Sequence, residues 1–210
     1  MTFAVDWHAK VKKLFEANEG YRSWAKTAQY KGRLIPLCTP IPSSVDVLVI
    51  GINHAEFDDR DQREAERIAQ AFSRAVPREN TYLEHDHRFA RRLREVTLRS
   101  GLEISEEWAG TNRYPIQGDW TEIGKLLRRE SLESEMDLLI LELIRAINPK
   151  YVITCGEIPT KIFYGEWLGL GHMKPKVLAG TRTTIVPIWH PSRGSFDKFS
   201  VPRLKEYVKV

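Results

Sequence analysis

Three short polar clusters, far apart in a chain of 210 residues, hold the side chains with the most chemical capacity. They are Gly51-Ile52-Asn53-His54, Thr111-Asn112-Arg113 and His190-Pro191-Ser192-Arg193. An asparagine amide sets an acceptor beside donors, so Asn53 and Asn112 can orient a water or match a donor–acceptor pair on a ligand. An imidazole such as that of His190 can donate a hydrogen bond to charge that develops during a reaction. None of these tripeptides is specific alone, since Gly-Ile-Asn and His-Pro-Ser arise often by chance. Their meaning depends on the elements that carry them.

Each cluster follows a stretch that reads as a strand. Residues 45–50 are β-branched and apolar and are closed by Gly51, the pattern of a strand buried on both faces. Residues 108–112 form a short second strand, 151–155 a third ending before Gly156, and 183–188 a fourth. Between them lie helical patterns: Ala65, Ile68, Ala69 and Phe72; then Phe89, Leu93 and Val96; then Met136, Leu139, Ile140, Leu143, Ile144 and Ile147 over 132–147. A short helix near 159–164 and a C-terminal one over 197–208 complete the pattern. Strands alternating with helices predict an α/β fold with a mainly parallel sheet, and such sheets bind ligands beyond the carboxyl ends of their strands. All three polar clusters are expected on that rim.

Composition narrows the field. Hydrophobic residues make up 42% and charged residues 29%, close to globular averages, which excludes a disordered chain, a collagen-like fibre and a coiled coil. No apolar run is long enough to span a bilayer, so no membrane partner is expected. Asp6 and His8 interrupt the start where a signal peptide needs an apolar stretch, and a cytoplasmic protein is expected. Cys38 and Cys155 are too few for a disulfide framework or an iron–sulfur cluster and are expected as buried thiols. The net charge of +4 is compatible with a polyanionic partner. One domain over 1–210 is expected. Its first forty residues form an N-terminal helical arm, with Asp6 as helix cap and Trp7, Val11, Leu14 and Phe15 on one face. Pro36, Pro40 and Pro42 then impose an extended approach to the first strand.

The order and strand contexts of the clusters resemble the uracil-DNA glycosylase superfamily. Gly51-Ile52-Asn53 is similar to the start of its first motif, in the Gly-Ile-Asn-Pro-Gly version of the mismatch-specific branch. His190-Pro191-Ser192 is similar to the second motif. Helix 132–147, Asn148-Pro149-Lys150 and the strand ending at Gly156 resemble the family's helix–Pro-Lys–strand–Gly segment. Thr111-Asn112 falls where related enzymes place a base-reading asparagine. The likeness runs from Val45 to the C-terminus. His54-Ala55 stands in place of the motif's Pro-Gly, and the segment 57–88 is longer and more charged than the family's usual loop.

The resemblance implies a three-layer αβα fold around a central, mainly parallel four-stranded sheet. It implies a monofunctional DNA glycosylase acting as a monomer on DNA that contains a deaminated base, with neither cofactor nor metal. His85 and His87 do not share a helix face, and with Asp58 and Asp59 they make no metal set. Cleavage passes through an oxocarbenium-like sugar and an anionic leaving base. On this reading Asn53 orients the water and His190 donates to uracil O2. Gly51, Ile52 and Asn112 form the base pocket, Asn112 matching the N3–H and O4 of uracil. Phe57, Tyr82 and Phe89 are the candidates for stacking, and of these Phe89, on the apolar face of a helix, is expected in the core. Ser192, Arg193 and Ser195 are expected against phosphates. Two other classes compete: a catalytically silent nucleic-acid-binding protein on the same fold, and a small-molecule nucleotide-binding α/β protein. The latter lacks any Gly-x-Gly-x-x-Gly or phosphate-loop signature.

Overall fold

The computed structural model describes residues 2–27, 34–52, 77–84, 87–191 and 196–209. Its elements in chain order are α1 Thr2–Ala17, α2 Glu19–Thr27, β1 Val47–Gly51, α3 Thr81–Glu84, α4 Arg88–Arg99, β2 Trp108–Asn112 and α5 Trp120–Arg129. They continue with α6 Leu132–Ile147, β3 Tyr151–Cys155, α7 Glu157–Tyr164, β4 Lys176–Val177, β5 Thr184–Ile188 and α8 Phe196–Tyr207. The helical pattern around Ala65 and Phe72 lies outside the described residues.

Strand order is β2-β1-β3-β5-β4. The first four are mutually parallel, and β4 pairs antiparallel with β5 through Lys176↔Ile185. The expected parallel four are therefore present, and a fifth strand makes the sheet mixed. That strand has two residues, both exposed, so it leaves no hydrophobic period to read.

Because successive strand residues face opposite sides, the sheet divides its apolar residues between two helical layers. Leu48, Ile50, Ala109, Val152 and Ile185 pack with Trp7, Val11 and Phe15 of α1, Ile123 and Leu127 of α5, and Met136, Ile140, Leu143 and Ile144 of α6. Val47, Val49, Trp108, Ile153, Cys155, Val186 and Ile188 pack on the other side with Ala90, Leu93 and Val96 of α4 and Leu204 of α8. Among the described residues no helix is long and apolar enough to cross a membrane.

The N-terminal helix departs from expectation in one respect. It starts at Thr2, so Asp6 lies inside it and caps nothing. Trp7, Val11 and Phe15 are fully buried, and the Trp7 indole donates to the Leu139 carbonyl at 2.7 Å, which fixes α1 to α6. Beyond it, the proline-bounded segment runs antiparallel to β2 through bridges Leu34↔Ile116 and Leu37↔Thr111. It covers an edge that would otherwise expose a row of unpaired amides.

Candidate functional site at the carboxyl rim

Alternation along the strands decides which residues meet at the rim. Trp108, Gly110 and Asn112 of β2 share a face and stand in register with Val47, Val49 and Gly51 of β1. Apolar residues fill the lower levels of this face, and the last level holds the Asn112 amide beside Gly51. A β-carbon at Gly51 would sit 2.3 Å from Asn112 Oδ1, so only glycine leaves room for the amide. Gly110 does the same one level down, where a β-carbon would meet the Tyr82 hydroxyl at 2.4 Å.

Asn112 is 6% exposed, and Nδ2 donates to Cys38 Sγ at 3.3 Å. Cys38 is held from both sides: its N–H donates to the Gly110 carbonyl at 2.8 Å, and its carbonyl accepts from Thr81 Oγ1 at 2.7 Å. The Tyr82 hydroxyl donates to the same sulfur. Burial pushes the Cys38 thiol up to about 12, opposed by that hydrogen bond, and burial also drives the Tyr82 phenol well above its ordinary range. Near neutrality the floor of the site is thus uncharged and buried, the setting in which a misplaced hydrogen bond costs most.

His190 stands beside this floor. It follows β5 by two residues and packs on Gly156, whose φ of 97° suits glycine and whose added β-carbon would lie 3.1 Å from His190 Cβ. The Gly156 N–H donates to the Ile188 carbonyl at 2.8 Å, which ties the exits of β3 and β5 together. Phe89 links the two polar groups. Its Cζ is 4.0 Å from the β-carbon position of Gly51, and its ring centroid is 5.5 Å from that of His190. The His87 ring also stacks on Phe89 at 6.4 Å, while its Nδ1 caps α4 by accepting from Ala90 N.

Asn112, Gly51 and His190 are therefore brought to one rim on one face of the sheet. Ile52 adjoins them, half-buried, its carbonyl accepting from Tyr114 N at 2.8 Å. Tyr82 is buried one level below. Asn53, Phe57, Ser192, Arg193 and Ser195 lie outside the described residues, as do His54, Asp58, Asp59 and His85. Among the described residues, no group of three His, Cys, Asp or Glu side chains is arranged to hold a metal ion.

Two further residues, Phe89 and Cys38, stand at the rim. Phe89 has the period of a core residue, but it sits in the first turn of α4. A helix that leads into a parallel strand begins at the carboxyl end of the sheet, so that position faces the rim. Cys38 carried no signal beyond burial. Three arginines of α4 are engaged elsewhere: Arg92 and Arg99 pair with Asp197, and Arg94 donates to the Tyr82 carbonyl. A cleft of about 660 Å³ opens between α1 and α6 on the opposite face. It is lined by Lys10, Lys13, Glu135 and Glu142 around Leu138 and Leu139, and the Lys10–Glu142 ion pair sits in it. Mixed exposed charges of this kind aim no buried polar group at a ligand. No family model matches the chain, and no curated protein matches it.

Proposed function

We propose that the protein is a DNA glycosylase of the uracil-DNA glycosylase type, which hydrolyses the N-glycosidic bond of uracil or a related deaminated base flipped into the carboxyl rim. The observation that carries this reading is the meeting of Asn112, Phe89 and His190 on one face of the sheet. They come from separate parts of the sequence and stand over a neutral floor. An amide, an aromatic face and an imidazole are the groups a pyrimidine pocket requires: one to read the edge, one to stack, one to stabilise the leaving base.

In the reaction, the bond between C1′ and the base nitrogen breaks and its electron pair passes to the base. Water adds to C1′, and its proton ends in solvent or on the departing base. His190 donates to the carbonyl oxygen that gains charge, a contribution typically of about 2.7–4 kcal/mol for one preorganised donor. Asn53, next in the chain after Ile52, orients the water through its amide oxygen. It does not titrate, so the rate rests on positioning and leaving-group stabilisation rather than on a general base. Phe89 supplies the stacking face. Tyr82, hydrogen-bonded to Cys38 beneath Asn112, supports the floor.

The test is incubation with end-labelled oligonucleotides bearing uracil, hypoxanthine or xanthine, followed by alkali. Strand breaks at the modified position are expected after alkali and not before it. Tight, salt-sensitive binding without breaks would instead identify a silent nucleic-acid-binding protein.

A further inference from the structure

The asparagine proposed to read the base is held by a residue from an unexpected source. Cys38 belongs to the edge segment outside β2, 74 positions from Asn112, and its sulfur accepts from Asn112 Nδ2 at 3.3 Å. Its own place is fixed by the hydrogen bonds with Gly110 and Thr81, and the adjoining Thr39 Oγ1 accepts from Gly110 N at 2.8 Å. With Nδ2 drawn toward sulfur, Oδ1 lies over Gly51, where a β-carbon would stand 2.3 Å away. An amide that rotated freely about its last bond could present either order of acceptor and donor. It would then match uracil in one state and cytosine in the other.

We propose that Cys38 is a positioning residue for Asn112: its sulfur fixes the amide so that the site accepts bases with a ring N–H beside a carbonyl and excludes those with an amino group beside a bare ring nitrogen. This inference rests on the reading of Asn112 as the base-reading group. It extends that reading from uracil to hypoxanthine and xanthine, which share the same edge, and it excludes cytosine and adenine. The Tyr82 hydroxyl on the same sulfur keeps Cys38 from turning away.

The test uses the full chain, labelled with ¹⁵N-asparagine, as wild type, Cys38→Ala and Cys38→Ser, with Asn112→Asp assigning the Asn112 side-chain amide signals. In wild type one amide proton is shielded from solvent exchange. In Cys38→Ala that exchange should accelerate about tenfold or more, and uracil excision should fall by about tenfold, the effect of one ordinary hydrogen bond. Cys38→Ser, which keeps an acceptor, should restore both to within about threefold, and the harder oxygen should move the bonded proton downfield. Unchanged exchange and excision in Cys38→Ala, or a serine variant that behaves like alanine, would overturn the proposal. If Cys38→Ala does not fold, the serine variant decides: an unmoved Asn112 signal counts against Cys38. If the wild type releases no base, the glycosylase reading fails, and the exchange data alone still decide whether Cys38 holds Asn112.

Discussion

Asn112 and Arg113 are neighbours in the chain at the end of β2, yet they meet opposite faces of the sheet and opposite fates. The Arg113 side chain is 8% exposed and paired through all three of its nitrogens. Its Nε and Nη2 fork onto Asp137 at 2.7 and 2.6 Å, and Nη1 donates to the Ile158 carbonyl at 2.8 Å. Glu133 stands 3.4 Å away and accepts from the Tyr114 hydroxyl as well. This planar, bidentate pairing locks β2 to α6. Asn112 is equally buried, but among the described residues its side chain makes one hydrogen bond, to a neutral thiol, and it stands beside Gly51, whose β-carbon position lies 4.0 Å from the Phe89 ring. A buried charge paired in this way holds a fold together. A buried amide with spare hydrogen-bonding capacity at a sheet rim suits recognition.

That contrast can be broken by substitution. Asn112→Ala should lower kcat/KM for uracil excision by about 10³-fold, because the pocket loses its reading group, while unfolding free energy changes by no more than about 1 kcal/mol. Arg113→Ala should do the reverse. It leaves Asp137 half-buried and unpaired and should cost about 3 kcal/mol in urea unfolding, the low end for breaking a buried pair. Excision per folded molecule should stay within about threefold. Loss of activity without loss of stability in the arginine variant would erase the distinction.

Smaller effects sharpen it. His190→Ala should reduce kcat by about 10²-fold with KM little changed, since the donor acts on charge that appears only in the transition state. Phe89→Ala should raise KM for the oligonucleotide by about tenfold, in keeping with the roughly 1–3 kcal/mol of one stacked base. The smallest effect is on pH dependence. The Cys38 thiol is raised from 9.0 to about 12 in the folded state, so above pH 9 the unfolded chain ionises first and is favoured. The Cys38 contribution should be constant below pH 9 and be lost as pH rises toward 12. Cys38→Ser, with no thiol to ionise there, should show a shallower fall in urea titrations between pH 8 and 11.

Legibility in the sequence followed the same division. β3 and α6 were readable to their end residues, because a β-branched run and a strongly periodic one are bounded by glycine, proline or a change of period, whereas β2 matches its expected range 108–112 without such a boundary. α2 and α3 were not readable: α2 buries Tyr21 alone, and α3 is one turn. α5 carried an overlooked start signal, Asp119 followed by Glu122, and the Asp119 carboxylate does accept from Thr121 N and Glu122 N. Within the site, the rim positions of Asn112 and His190 were legible because one ends and the other follows a strand of the parallel set. Phe89 packs against the core as its helical period indicates, but that period says nothing about which end of the helix meets the rim. The hold of Cys38 on Asn112 was invisible, since it depends on how an edge segment bridges to β2 rather than on any local pattern.

The central claim is that the Asn112–Phe89–His190 rim releases a deaminated base from DNA. Its most direct test is the single-turnover rate of free uracil release from a uracil-containing oligonucleotide, with protein in excess, for the wild type and for Asn112→Ala/His190→Ala. Release by the wild type, leaving an intact abasic strand, with the double variant slower by three or more orders of magnitude, is the predicted result. Absence of release by the wild type, or equal rates in both proteins, would contradict the claim.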